Sequence, residues 1–325
     1  MWKRRASLSS PSDALTETAS LLREALAVNP HPPDNEPIGL IGSGLVGTAL
    51  AERLLSAGFD VVGYDLDPSR SAHLVSLGGR AVSSPEAIAC QCRRVILSLL
   101  TTDVVCQVVE GEDGLLEAEA RPQFVIDTTT GDPEAVAALA GRLAARGVQY
   151  LDATLSGSSQ QIRDGKAVFM VGGEREAFEA CRDVFDAVPG NAVCLGPAGS
   201  GTKAKLASNL ILGLNRAALA EGLVFAERLG LELPAFLELL KCTPAYSAIM
   251  DTKGEKMLAG DFAPQARLAQ HAKDVKLILN EAERVGQELP LSQVHHALLT
   301  SALNAGDGDL DNAAVIQEMR RRRCR

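Results

Sequence analysis

The chain has 325 residues, more than a single core usually fills, and at about 150 residues per domain it predicts two domains. Hydrophobic residues make up 46% and charged residues 22%, which excludes a disordered, collagen-like or coiled-coil protein as a whole. The formal net charge is −9, and eight basic residues crowd the two ends (Lys3, Arg4, Arg5, Arg320, Arg321, Arg322, Arg323 and Arg325), so the body between them stands at −17. So acidic a body repels phosphate backbones and excludes nucleic acid as the main partner.

Residues 1–36 combine prolines, mixed charge and a short apolar period at Leu15, Leu21, Leu22 and Leu26, and read as a loosely attached extension. The basic, Ser-rich opening is soon followed by Asp13, Glu17 and Glu24 and lacks the apolar stretch of a secretory signal, so a cytoplasmic location is expected. From Ile38 onward, β-rich runs alternate with amphipathic helical segments. Strands are predicted at Ile38–Ile41, Val61–Tyr64, Arg94–Leu99, Phe124–Asp127, Tyr150–Asp152 and Val168–Val171, an alternation that implies α/β architecture with a parallel sheet covered on both faces. Beyond residue 200 the strand signal stops. Thr202–Leu229 is apolar-rich and free of proline, about 42 Å of helix at ~1.5 Å per residue, and the remainder reads as an all-α domain closed by a solvated basic tail. The predicted organisation is an extension over 1–36, a dinucleotide-binding domain over 37–199, an all-α substrate and oligomerisation domain over 200–319, and the tail over 320–325. The longest apolar runs, such as Val95–Leu100, are far shorter than the ~20 residues that span a bilayer, and no membrane segment is expected.

Seven cysteines (Cys90, Cys92, Cys106, Cys181, Cys194, Cys242 and Cys324) lack CxxC spacing and the density of a disulfide scaffold; they read as reduced core residues rather than thiol nucleophiles. His295 and His296 are adjacent and point to different sides of a helix, which does not suit a metal, and none is expected.

The first chemical motif is Gly42-Ser43-Gly44-Leu45-Val46-Gly47, placed between a strand and a helix running through Ala49, Leu50 and Leu54. The first glycine makes the tight turn, the second lets the backbone approach a pyrophosphate, and the third permits close helix packing. Asp65 ends the second strand, 23 residues after Gly42, where a carboxylate binds a ribose 2′-hydroxyl. Because Asp65-Leu66-Asp67 offers a 2′-phosphate two carboxylates and no arginine at 66, NAD is expected over NADP, a preference that nearby Arg70 softens. The second motif opens at Gly199-Ser200-Gly201. In the helix that follows, Lys205 and Asn209 share a face while Lys203 points away, so Lys205 and Asn209 can converge on one small molecule. A partly desolvated lysine there can exchange a proton with a reacting oxygen.

Taken in order, GxGxxG, Asp127-Thr128-Thr129-Thr130, Asp152-Ala153-Thr154-Leu155-Ser156-Gly157-Ser158, GxGxxxKxxxN and Lys273-Asp274 resemble the β-hydroxyacid dehydrogenase family, over about residues 37–318. The resemblance implies a Rossmann-type doubly wound sheet, a long linking helix and an all-α C-terminal domain, with the site in the cleft between them. It implies Lys205 as general acid/base, Asn209 as a hydrogen bonder to substrate or one that orients the lysine, Ser156, Gly157 and Ser158 as the substrate-carboxylate loop, and Lys273 reaching substrate or nicotinamide ribose. Leu99, Thr129, Thr130 and Asp274 fall with the cofactor-binding positions. It further implies hydride transfer between NAD(P) and a small β-hydroxy acid, and a homodimer or homotetramer. Thr154-Leu155, Ser158 and Leu99-Leu100 depart from the family pattern and leave the substrate open, while Ser158, Ser159, Gln160 and Gln161 suit a polar acid. Two alternatives are an imine reductase-like enzyme, which the presence of Lys205 opposes, and a non-catalytic dinucleotide-binding scaffold. Tyr246, Met257 and Phe262 read as core.

Overall fold

The computed structural model describes residues 36–188 and 190–322; the expected apolar period of the N-terminal extension and the residues from Arg323 on lie outside them. Eight strands, β1 (Ile38–Ile41), β2 (Val61–Tyr64), β3 (Arg80–Ala81), β4 (Arg94–Leu97), β5 (Phe124–Asp127), β6 (Gln149–Ser156), β7 (Ala167–Gly172) and β8 (Gly190–Cys194), form one sheet in the order β3-β2-β1-β4-β5-β6-β7-β8. The helices among them are α1 (Leu45–Ser56), α2 (Pro68–Ser76), α3 (Pro85–Ala89), α4 (Thr102–Glu110), α5 (Pro133–Ala144), α6 (Ser159–Arg163), α7 (Arg175–Ala180) and α8 (Arg182–Ala187).

Strands β1, β4 and β5 are buried along their whole length, as parallel strands between two helical layers must be. Successive side chains leave by opposite faces: Ile38 and Leu40 join Leu50 and Leu54 of α1 in one core, while Ile41 joins Val105, Leu139 and Leu143 in the other. The order reverses between β1 and β4, and the crevice beyond their C-terminal ends is where such sheets bind ligands.

The sheet departs from the parallel expectation at one place, because β7 runs antiparallel to β6. Only residues 157–166 join them, including the single short helix α6, and a parallel return needs a crossover of a dozen or more residues. Other boundaries also shift. β4 ends at Leu97 rather than Leu99, β6 continues to Ser156, and β3 and β8 carry too little apolar patterning to be found in sequence.

Helix α9 (Ser200–Arg228) leads into α10 (Leu233–Lys241), a π turn (Met250–Gly254), α11 (Glu255–Ala259), α12 (Leu268–Arg284), α13 (Pro290–Asn304), a 3₁₀ turn (Asn312–Ala314) and α14 (Val315–Arg321). Leu219, Leu223, Leu237, Met257, Val275, Leu299 and Ile316 meet in the core of this region. By length and composition alone α9 is long and apolar enough to cross a membrane, a test that the core helix of a folded domain also passes; Ala217, Leu219, Ala220 and Leu223 of α9 pack in the core of the helical region. The basic tail is also revised. Arg320 and Arg321 form the last turn of α14, where Arg320 pairs with Glu227 at 3.2 Å, Arg321 with Asp307 at 2.7 Å and Arg322 with Glu318 at 2.9 Å, so these arginines are held and not merely solvated. Met257 is buried and Phe262 packs on the core, whereas Tyr246 is 47% exposed and is no core residue.

One contact fixes where α9 begins. Asp152, buried on β6, accepts hydrogen bonds from Gly199 N (2.8 Å), Thr202 N (2.7 Å) and Thr202 Oγ1 (3.0 Å), a carboxylate at the positive end of a long helix. A Cβ on Gly201 would stand 2.4 Å from both Asp152 O and Met170 O. Backbone therefore packs on backbone, and the first turns of α9 lie directly against β6 and β7.

Candidate active site

The crevice at the sheet's switch point is built by the glycine motif. Gly42 has φ 93°, and a Cβ there would stand 2.3 Å from Ser98 O; one on Gly47 would stand 1.9 Å from Gly42 O. The turn and the helix behind it thus require glycine. Gly44 is different, with only Arg70 Nη1 near its Cβ position, at 4.0 Å. It caps α1 without a side-chain hydrogen bond, and the first turn holds no acidic residue, so the N–H groups face open space with nothing competing for them. Ser43 Oγ is buried with no partner among the described residues. Asp65, at the end of β2, accepts from Ser43 N at 2.7 Å and Asp67 N at 2.9 Å, and Arg70 lies 3.5 Å from Asp65 and 3.6 Å from Asp67. An open phosphate cradle, an orphaned hydroxyl and a carboxylate one strand away fit a dinucleotide. Of the motif's side chains, Leu45 is 41% exposed at the mouth and Val46 packs partly on the core.

The strand ends beside this cradle are locked together. Thr129 Oγ1 accepts from Leu99 N at 3.1 Å, Thr129 N donates to Asp127 Oδ1 at 2.9 Å, and Thr128 Oγ1 donates to Leu97 O at 2.8 Å. Thr129 is therefore a buried brace that sets the Leu99 backbone, with Thr130 more open at the rim. Burial raises the Asp127 carboxyl to about 6, against hydrogen bonds from Thr129 and Tyr150.

Lys205 lies one turn inside α9, 8% exposed, and its Nζ donates to Leu155 O at 2.6 Å. This places the amine beside Ser156 at the end of β6. Gly157 follows at φ 145°, with its Cβ position 3.1 Å from Ala167 Cβ, so the loop turns away from the strand as glycine allows. Asn209, one turn on, donates through Nδ2 to Asp274 Oδ2 at 3.0 Å. Lys273 Nζ reaches across to Thr130 O (2.6 Å) and Leu100 O (3.1 Å) while lying 3.2 Å from Asp274 Oδ1. Lys205 is thus held beside Ser156 and Gly157, and Asn209, Asp274, Lys273 and Thr130 are joined in one chain of contacts. Burial brings the Lys205 amine down to about 8; Asp274 opposes that fall, and Arg216 and Lys273 add to it.

Besides Thr129, two further candidate residues have their polar atoms engaged within the fold. Ser158 is spent in a capping box on α6, its hydroxyl accepting from Gln161 N and its N–H donating to Gln161 Oε1; the S-x-x-Q pattern was the readable signal. Asp274 is buried and engaged by Asn209 and Lys273, which fixes the orientation of both groups. Sequence reasoning missed the anchoring role of Asp152, for which the signal was a lone carboxylate inside an apolar strand. It also missed Arg284, whose guanidinium grips Asp132, the cap of α5, at 2.6 and 3.0 Å. Cys92 and Cys181 are buried and pushed up to about 12, which makes them inert thiols.

The family model for the NAD binding domain of 6-phosphogluconate dehydrogenase matches residues 37–196, and that for the NAD-binding region of NADP-dependent 3-hydroxyisobutyrate dehydrogenase matches residues 199–319. L-threonate dehydrogenase of Cupriavidus necator is 31% identical over 86% of this chain and 95% of its own length. Cytokine-like nuclear factor N-PAC of Aedes aegypti is 30% identical over 83% of this chain, which spans only 48% of that protein. The crystal structure of 3-hydroxyisobutyrate dehydrogenase from Salmonella typhimurium superposes with a TM-score of 0.79 at 28% identity, covering 87% of this chain and 99% of that one. With two family models matching in sequence order and a relative aligned over nearly its whole length, the chain belongs to the β-hydroxyacid dehydrogenase family of NAD(P)-dependent oxidoreductases.

Proposed function

We propose that this enzyme oxidises a small β-hydroxy acid, and reduces the corresponding semialdehyde, with Lys205 as its general acid/base. The observation that carries the reading is the buried Lys205 amine, held 2.6 Å from Leu155 O and beside Ser156. Lys205 in its neutral form takes the hydroxyl proton as the carbinol C–H bond gives up its hydride; in reverse, its ammonium protonates the nascent alkoxide and stabilises the charge developing on that oxygen. The Ser156 hydroxyl and Gly157 N–H hold the substrate carboxylate, and Asn209, its amide fixed by Asp274, orients the reacting oxygen. A bound nicotinamide dinucleotide supplies the hydride acceptor or donor, and Gly42, Ser43, Gly44, Gly47 and Asp65 would hold it. NAD is preferred to NADP, a reading supported by the two carboxylates, Asp65 and Asp67, that follow β2 and by Arg70, which lies within 3.6 Å of both. Lys205 separates this reading from the imine reductase and scaffold alternatives.

We further propose a homo-oligomer. Ile211 (61% exposed) and Phe225 (65%) lie with Leu229 (61%) along an uncovered line of α9 and its end, an apolar surface that a second copy of the chain would cover. Unpaired cysteines at every described cysteine position suit a cytoplasmic location. The function is tested by a spectrophotometric screen of 3-hydroxyisobutyrate, glycerate, threonate and γ-hydroxybutyrate with NAD and NADP. Turnover of at least one β-hydroxy acid, faster with NAD, is expected; inactivity throughout while cyclic imines are reduced would overturn it.

A further inference from the structure

Gly201 lets the start of α9 pack on β6 and β7, but a second glycine, Gly213, lies buried in the middle of that helix, one turn beyond Asn209. Glycine inside a helix costs stability relative to alanine, so its place there needs a reason. The packing supplies one. A Cβ at 213 would stand 2.6 Å from His271 Nε2, 2.9 Å from His271 Cε1 and 2.7 Å from His295 Cε1. One ring comes from α12 and the other from α13; both are buried, with centroids 5.2 Å apart, so neither has room to swing away from a methyl group. Gly141 in α5, by comparison, has nothing within 4 Å of its Cβ position.

This contact lies one turn from the proposed acid/base site. Helices α9 and α12 run antiparallel, since Asn209 meets Asp274 while Gly213, four residues later, meets His271, three residues earlier. Their spacing is therefore fixed at two neighbouring points, and the approach at Gly213 governs the reach at Asn209, whose Nδ2 donates to Asp274 Oδ2 at 3.0 Å. The groups that face the Lys205 amine are Asp274 and Lys273 from α12, Arg216 from its own helix and the Leu155 carbonyl from β6. Two of the four ride on α12, and of those two Asp274 has the stronger effect. The imidazoles themselves act as uncharged spacers. Burial, with Arg216 bearing on both rings, His295 and Lys205 on His271, and His296 on His295, holds His271 well below its usual value and His295 at about 4.

We propose that Gly213 is a positioning residue for the acid/base: by seating His271 and His295 directly on the α9 backbone, it brings α12 close enough for Asp274 to hold Asn209 and to stand as the counter-charge of Lys205. The proposal rests on the reading of Lys205 as the acid/base.

The test compares the wild type with Gly213→Ala, with the double variant Gly213→Ala/His271→Ala, and with Gly141→Ala as a glycine-to-alanine control. Chemical acetylation across a pH series, with the Lys205 peptide quantified by mass spectrometry, reads the ionisation of that amine without turnover; kcat/KM for the best hydroxy acid from the screen reads function. In Gly213→Ala the methyl group pushes α12 away and Asp274 withdraws. The midpoint for Lys205 should then fall below the wild-type value of about 8, because an opposite charge that favours the ammonium has moved off, and kcat/KM should drop by at least about tenfold, as misplacement of a reacting group does. The double variant makes room for the methyl group and should return the midpoint to the wild-type value and recover most of kcat/KM. Gly141→Ala should match the wild type in both. An unchanged midpoint in Gly213→Ala, or a loss that the double variant does not recover, would overturn the proposal. If Gly213→Ala does not fold, relief of the clash must let the double variant fold, and failure of both overturns it equally. If the wild type turns over no hydroxy acid, the acid/base reading fails, while the acetylation midpoints still decide whether Gly213 sets the spacing.

Discussion

At the residue scale, the site is a set of side chains whose ionisation is set by burial. Lys205 sits at about 8 because its ammonium has lost water and faces two further cations, with Asp274 as partial compensation. Oxidation of the hydroxy acid needs the neutral amine, so its kcat/KM should rise with pH through about 8 and level off above it; reduction needs the ammonium and should fall across the same range. A pH-rate series in both directions checks this, and two flat profiles between pH 6.5 and 9.5 would remove Lys205 from proton transfer. Much of this scale was legible in sequence. GxGxxG followed by a strand-end Asp, and a lysine and asparagine one turn apart, name groups whose spacing alone brings them together. Thr129, Ser158 and Asp274 were harder, because their polar atoms are consumed by backbone and neighbouring side chains that only the folded chain supplies.

At the scale of elements, the decisive joint is β6 to α9. Asp152 satisfies two backbone N–H groups and one hydroxyl at the start of a helix of 29 residues, and that helix carries Lys205 and Asn209 on the side facing the cleft. Replacing Asp152 with Ala leaves those donors buried without partners, at about 1–3 kcal/mol for such a group. The expected outcome is a lower denaturant midpoint together with a loss of kcat, since α9 is no longer held to the sheet; an unchanged midpoint would show that Gly201 packing alone positions the helix. The parallel sheet and long helix were readable from alternation and from the proline-free run. The antiparallel β7 followed from a connection too short for a crossover, a rule of chain length that hydrophobic pattern does not carry.

For the whole molecule, the charge arithmetic acquires a location. A body at −17 concentrates its buried cations in the helical region, and Lys273 and Arg284 tie that region to the sheet through Thr130, Leu100 and Asp132. The exposed apolar line of α9 makes a prediction at the same scale. Light scattering on the eluting protein should give a dimer or tetramer mass, and Phe225→Asp should lower it; a monomer in the wild type would leave that surface to another partner. Sequence composition could place none of this, because ion pairs such as Arg284–Asp132 join residues far apart in the chain and carry no local signature.

The central claim is that Lys205 moves the proton during hydride transfer. It is tested most directly by comparing wild-type and Lys205→Ala enzyme for turnover of the best hydroxy acid from the screen, with NAD affinity measured on both proteins by calorimetry. The account predicts that kcat falls by about 10²–10⁴-fold, the usual contribution of a positioned acid/base, while the NAD dissociation constant stays within about twofold. Turnover near the wild-type rate would contradict it.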